Sequence, residues 1–337
     1  MLKAPNFWYN KNTTFFSIIL YPASILFRIL TKIYVIICKT KTADIPVICI
    51  GNLVVGGAGK TPVALKMGEI LKLSGYNPHF LTRGYSGSIK ENIQVTSKHS
   101  PEDVGDESLI LASIAPTWIG PNRIKSSKLA AINGADCIIM DDGFQNPNIK
   151  KDFSIIVIDG KQGFGNRKVL PAGPLRESVT RGLKRANAVI LVGKDEFGIK
   201  KFIDYSMPFF NADFDVSKNE EIYRGKDVTA FAGIAYPTKF FDTLKKQGAN
   251  IYKSIIFPDH HIYTENDILK LVEIANKNKS ILVTTKKDFV RIPNNYKTII
   301  HKLEGEINLE KEDILKKKLT DLLEDFIFKK DTNHENI

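Results

Sequence analysis

Residues 46–61 read Pro46-Val-Ile-Cys-Ile-Gly51, then Asn52-Leu-Val-Val55, then Gly56-Gly57-Ala58-Gly59-Lys60-Thr61. An apolar β-like run, a glycine loop, Lys-Thr and a helical pattern form the layout of a phosphate-binding loop, which names a nucleoside triphosphate with Mg²⁺ as the ligand class. Glycines let successive N–H groups turn toward phosphate oxygens, Lys60 reaches the β/γ-phosphates, and the Thr61 hydroxyl sits on the metal. The helix expected from Thr61 adds its positive end. The usual spacing places one more glycine at position 54, where this chain has Val54.

Downstream, apolar runs alternate with helical patterns. Strands are expected at 46–51, 78–82, 116–119, 136–140, 153–158 and 188–192, and helices at 61–74, 106–114 and 121–133. Such alternation predicts an α/β fold with a mostly parallel sheet flanked by helices, as in P-loop NTPases. Residues 195–224 read as loop. A second pattern comes after them, with strands near 227–233, 251–256, 280–284 and 297–301 and helices near 237–246 and 264–277. The layout expected is 1–44 as an N-terminal membrane-associated segment, 45–200 as the nucleotide-binding core, 201–327 as a smaller α/β domain ending in an amphipathic helix, and 328–337 as a tail.

The 337 residues carry a net charge of +11, which points to a polyanionic partner: a phosphorylated substrate, an anionic membrane or nucleic acid. No nucleic-acid-reading motif is evident. Cys38, Cys49 and Cys137 are dispersed, and the latter two lie in apolar runs as packed thiols, which fits a reducing compartment. Thr13 to Phe27 is apolar and charge-free, but Arg28 and Lys32 interrupt the residues after it, so it falls short of the roughly 20 residues of a clean span. No signal-peptide cleavage site lies beyond it. Phe7, Trp8, Tyr9, Tyr21 and Tyr34 supply interfacial aromatics, and Lys3, Lys11, Arg28, Lys32, Lys39 and Lys41 supply positive charge. A helix lying on a cytoplasmic leaflet is expected.

Cys137-Ile-Ile-Met-Asp141-Asp142 is an apolar strand ending in two carboxylates, the place of a metal-holding acid in a nucleotide-binding fold. Val104-Gly105-Asp106-Glu107 precedes a helical pattern, and by composition Asp106 reads as its N-cap. Phe257-Pro258-Asp259-His260-His261 concentrates two of the six histidines, which suits proton handling better than metal binding because adjacent histidines point apart. Arg83, Arg123 and Arg176 recur in loops after strands and together suit an anion-lined cleft.

These segments in this order resemble the tetraacyldisaccharide 4′-kinase family. The resemblance rests on Gly51 to Pro62, Thr82-Arg-Gly-Tyr85, Val104-Gly-Asp-Glu107, Asp141-Asp-Gly-Phe-Gln145, Leu170-Pro-Ala-Gly-Pro-Leu-Arg-Glu177, Phe231-Ala-Gly-Ile234, Phe257-Pro-Asp-His260 and Thr284-Thr-Lys-Lys-Asp288. It implies ATP- and Mg²⁺-dependent phosphorylation of the 4′-hydroxyl of a lipid A disaccharide precursor at the cytoplasmic face of the inner membrane. It also implies that Asp106 is the base or orienter for that hydroxyl, overriding the N-cap reading, with His260 of the second domain as its partner. Lys60 would neutralise the transferred phosphoryl. Asp141, Asp142 and Glu107 would join Thr61 at the metal. Arg83, Arg123 and Arg176 would meet substrate or nucleotide phosphates. The family usually has a histidine where this chain has Asn146, so a substrate contact there is a neutral hydrogen bond. Two rivals are a P-loop switch ATPase, against which Val55 stands in place of a signature lysine, and a non-enzymatic basic membrane-binding protein.

Overall fold

In the computed structural model the described residues are 4–10, 14–216 and 220–334. Lys3, Lys11 and residues 335–337 of the expected tail lie outside them. Among the described residues thirteen strands build two sheets: β1 Val47–Gly51, β2 Pro78–Leu81, β3 Ile93–Gln94, β4 Thr117–Ile119, β5 Cys137–Asp141, β6 Phe153–Asp159, β7 Ala188–Val192, β8 Phe209–Asp215, β9 Asp227–Ala232, β10 Asn250–Ile256, β11 Ile281–Thr285, β12 Ile300–Leu303 and β13 Glu306–Leu309.

The large sheet has the order β13-β8-β7-β6-β1-β5-β2-β4-β3, parallel except for its two outer pairs. Its central strand β1 is buried along its length, and alternate residues feed opposite cores. Ile48 and Ile50 pack with Val63, Met67 and Leu71 of the helix Lys60–Leu73, while Val47 and Cys49 face Leu53, Phe144 and Leu183. Covering both faces is what lets β1, β5, β6 and β7 be near-continuous runs of Val and Ile. Each such side chain taken out of water contributes about 1.5–3 kcal/mol.

The smaller sheet, β10-β9-β11-β12, is all parallel. The helix Pro237–Lys246 covers one face through Phe240, Phe241 and Leu244, and Glu265–Lys277 covers the other through Ile268 and Leu271.

Three segments depart from expectation. Residues 209–215, read as loop, are β8 and extend the large sheet beside β7. After β12, which begins at Ile300 rather than near 297, the chain turns back to the large sheet as β13, with Glu306 opposite Asp215. The helix Glu312–His334 then packs Leu315, Leu319 and Leu323 into the core under the Lys60–Leu73 helix, and it continues past residue 327, where a tail was expected. The smaller sheet is thus carried between the outermost strand of the larger one and its neighbour, and the amphipathic C-terminal helix serves the larger layer.

At the N-terminus, Thr14 caps a short helix Phe15–Ile19, and Pro22 opens a second, Tyr21–Ile37. Phe15, Phe16, Leu26, Ile33, Ile36 and Ile37 are exposed. Among the described residues no helix is long and apolar enough to cross a membrane. The segment is nevertheless tied down. Trp8 Nε1 donates to the Pro171 carbonyl at 3.0 Å, and the buried Ser24 hydroxyl donates to the Val169 carbonyl at 2.8 Å while accepting from Ala172 N at 3.1 Å.

Candidate active site

Between β1 and the helix Lys60–Leu73 the chain makes its glycine loop. Gly56 and Gly59 sit at φ +116° and +83°, in left-handed territory that a side chain would strain, and Gly59 occupies the N-cap position. The helix therefore starts with free N–H groups and its positive end at the loop, a ready anion site. Gly57 and Ala58 complete the turn. The Lys60 ammonium lies 3.6 Å from Asp142 Oδ2, and the Thr61 hydroxyl donates to Asp141 Oδ2 at 2.8 Å.

Parallel pairing sets Ile50 of β1 beside Asp141 of β5, so loop and acids share one sheet end, where such sheets bind ligands. The two aspartates have different surroundings. Asp141 is buried, and its Oδ1 has no hydrogen-bond partner among the described residues. Burial, and then the Glu107 carboxylate, push its carboxyl up to about 7. Asp142 is partly exposed, with φ +55°. Burial pulls its carboxyl up, but Lys60 and then Arg176 outweigh that and hold it below the usual range.

Arg176 reaches Asp142 with two N–H groups, at 2.9 and 3.3 Å. Its backbone explains how. Val55 N donates to the Pro174 carbonyl and Arg176 N to the Leu53 carbonyl, both at 2.8 Å, which zips the segment 174–176 to the loop after β1. Gln145 braces the pair, accepting from Arg176 at 3.1 Å and donating to the Asn52 carbonyl at 2.9 Å.

A second cluster joins the two sheets. Gly105, not Asp106, is the N-cap of the helix Asp106–Ala112, so the N-cap reading of Asp106 is corrected: its side chain is turned away from that helix's N–H groups and toward the smaller sheet. Asp106 is buried, and its Oδ2 lies 2.9 Å from His260 Nδ1 and accepts from Arg291 Nη2. Burial pulls its carboxyl up, but hydrogen bonds from His260 and Arg291 outweigh that and bring it down to about 2. His260 sits at φ +61° after β10, and its N–H is fixed on the Gly233 carbonyl at 3.0 Å. His261 turns the other way, onto Asp267 at 3.1 Å.

The other candidates surround these two clusters. Glu107 pairs with Lys287 at 2.7 Å. Arg83 is exposed. Arg123 is buried, donates to the Gly120 carbonyl, and has an Nε with no partner among the described residues. Burial, with the like charge of Arg83 next, lowers its basicity to about 10. Asn146 accepts from Asn148 N at 2.9 Å and lines a cavity of about 290 Å³ together with Thr31, Val35, Arg176, Arg181 and Arg185. Sequence reasoning assigned no role to Arg291, Asp288, Lys287 or Gln145. A signal was present in the polar run Thr284-Thr-Lys-Lys-Asp288 at the end of β11.

For a divalent cation, the orphaned Asp141 Oδ1 next to the Thr61 hydroxyl is the fitting observation: two hard oxygen donors, leaving further positions to phosphates and water. Among the described residues no group of three or more His, Cys, Asp or Glu is arranged to hold a metal by itself.

Residues 16–324 match the family model described as tetraacyldisaccharide-1-P 4′-kinase. The chain is 41% identical over 297 residues to a tetraacyldisaccharide 4′-kinase of Gluconobacter oxydans, covering 88% of this chain and 90% of that one. It is 40% identical over 328 residues to one of Rhodospirillum centenum, covering 96% and 97%. The fold superposes on the crystal structure of LpxK from Aquifex aeolicus in complex with ATP with a TM-score of 0.76 at 26% identity, over 91% of this chain and 99% of that one.

Proposed function

The chain belongs to the tetraacyldisaccharide 4′-kinase family and is an ATP-binding kinase of lipid A biosynthesis, and from that premise we propose how its residues carry the transfer. The glycine loop Gly56–Gly59 and Lys60 hold the triphosphate. Thr61 and Asp141 hold Mg²⁺, with Asp142 next to it; the cation, when bound, offsets charge on the phosphate oxygens. The acceptor is the 4′-hydroxyl of a tetraacyl disaccharide 1-phosphate. Its oxygen bonds to the γ-phosphorus as the bond to the ADP oxygen breaks, and its proton passes to the Asp106–His260 pair. ADP and a bis-phosphorylated lipid result. Lys60 neutralises charge on the moving phosphoryl group.

Arg176, clamped on Asp142 and lining the cavity beside Asn146, is placed to meet the lipid's sugar-phosphate end, with Arg83 and Arg123 as further cations. Glu107 is kept from the cation by Lys287 in this arrangement and reaches it only if that ion pair opens. The exposed apolar face of residues 15–37 lies on the anionic cytoplasmic leaflet, where ATP is available and the acyl chains of the substrate remain buried. Residues 227–303 act as a smaller domain that brings His260 to the site.

The observation that carries this reading is the meeting of Asp106, from a helix of the larger layer and next in sequence to Glu107, with His260 of the smaller one; the Glu107 carboxylate acts on Asp141 of the Thr61–Asp141 pair. The test is transfer of labelled γ-phosphate from ATP to a tetraacyl disaccharide 1-phosphate in mixed micelles, wild type beside Asp106→Ala. Labelled lipid from the wild type alone is expected. Labelled lipid from Asp106→Ala at the wild-type rate would remove Asp106 from the chemistry.

A further inference from the structure

Arg291 is a buried charge that this scheme leaves unused. It lies in the smaller lobe, and its side chain is 1% exposed. Nη1 donates to the Gly233 carbonyl at 2.9 Å and to Asp288 Oδ1 at 3.2 Å. Nη2 donates to Asp106 Oδ2, an atom of the larger lobe, and lies 3.4 Å from His260 Nδ1. Arg291 and His260 thus converge on one carboxylate oxygen, Oδ2 of Asp106.

The guanidinium is held rigidly from behind. Asp288, fully buried, accepts from Gly233 N at 2.9 Å, Tyr263 OH at 2.9 Å and the Thr285 hydroxyl at 2.6 Å. The Gly233 carbonyl that receives Arg291 also receives the His260 N–H. One short piece of backbone therefore sets the relative positions of the imidazole and the guanidinium. A planar fork with several fixed N–H directions can serve Gly233, Asp288 and Asp106 at once, which a single ammonium cannot.

We propose that Arg291 is a positioning residue for phosphoryl transfer. It pins Oδ2 of Asp106 when the smaller lobe is seated, so that Oδ1 is the oxygen offered to the acceptor hydroxyl and the imidazole stays in register beside it. The proposal rests on the reading of Asp106 and His260 as the proton-handling pair. A purely structural role, neutralising Asp288, is the competing account. Against it, Asp288 keeps three other donors when the guanidinium is removed, so it is not left unsatisfied.

Wild type, Arg291→Met, Arg291→Lys and Asp106→Asn are compared in labelled transfer from ATP to tetraacyl disaccharide 1-phosphate, with thermal melts of the same preparations. Arg291→Met is expected to lower kcat about 100-fold, with KM for ATP and for lipid within about threefold of wild type. Arg291→Lys, still able to place one N–H on Asp106, is expected to recover about tenfold of that loss. If Arg291→Met keeps kcat within about threefold of wild type while Asp106→Asn is inactive, the role given to Arg291 is overturned and the Asp106 reading stands. An active Asp106→Asn overturns the reading beneath both. Should Arg291→Met fail to fold, Arg291→Lys decides: a kcat about tenfold down at unchanged KM supports the proposal, and a wild-type kcat overturns it.

Discussion

Asp106 opens a helix of the larger layer and His260 sits in the turn after a strand of the smaller one, yet their side chains meet at 2.9 Å, 154 positions apart in sequence. Because the contact is made through Nδ1, the other ring nitrogen is the one left for a travelling proton. His260→Ala is expected to lower kcat by about 100-fold with little change in KM for ATP. His260→Asn can replace the hydrogen bond to Asp106 but cannot hold a proton. Its activity in single-turnover transfer separates the two duties: recovery to near wild type would make His260 an orienter only.

Thr61 gives its hydroxyl to Asp141, whose second oxygen has no partner among the described residues. Thr61→Val removes one oxygen donor and lets Asp141 reorient, so the Mg²⁺ concentration for half-maximal velocity should rise by about 10–100-fold. Thr61→Ser should restore it. An unchanged Mg²⁺ dependence would take Thr61 out of the cation site.

Gly51 ends β1 where the chain crosses Phe144, and a Cβ there would stand 2.3 Å from the Phe144 Cβ. Gly51→Ala should cost about 1–3 kcal/mol through overpacking. Gly57→Ala, where a Cβ meets nothing within 4 Å, should leave stability near wild type. Urea unfolding midpoints of the two variants, read side by side, check the contrast.

The N-terminal segment has two duties that different variants can separate. Leu26→Asp, Ile33→Asp and Ile37→Asp in combination place charge on its exposed face and should abolish sedimentation with anionic vesicles while sparing ATP affinity. Deleting residues 1–40 also removes the Trp8 and Ser24 hydrogen bonds to the 169–172 segment, which leads directly into Arg176. That deletion should therefore lower turnover on detergent-dispersed lipid as well. Full turnover by the deletion would show that this tether does not matter to the site.

Trp118 Nε1 donates to Nδ1 of the buried His79 at 3.1 Å, so the ring must be neutral at that nitrogen. Burial lowers the His79 basicity below its ordinary value of 6.5. The unfolded chain then binds more protons, and stability is present at neutral pH and falls as pH drops below about 6.5. His79→Phe should flatten that part of the profile, measured as urea midpoints between pH 5 and 8. An equally steep profile would assign the acid sensitivity elsewhere.

Legibility in the sequence depends on how local the signal is. The glycine loop and its flanking strand and helix lie within the 27 consecutive positions 47–73, and Asp141-Asp142 ends an uninterrupted apolar run. The central strands are buried on both faces and so write themselves as Val and Ile. β8 hides among loop residues because its outer half is exposed, and its Phe-Phe-Asn-Ala-Asp-Phe-Asp carries two aspartates and an asparagine. β13, four residues long, carries too little pattern to be seen. Arg291 and Lys287 meet Asp106 and Glu107 across 185 and 180 positions, and the polar run Thr284–Asp288 beside them marks a place without naming such a partner. Their place is set by the return of the chain to the large sheet, a tertiary fact.

That return has a mechanical consequence. The chain enters the smaller lobe from β8 and leaves it into β13, and these strands lie side by side with Asp215 opposite Glu306. A leaf hung on two adjacent straps is seated as one body. His260, Lys287 and Arg291 all belong to it, so their contacts with Asp106 and Glu107 come from a single docking and not from three loops folding independently.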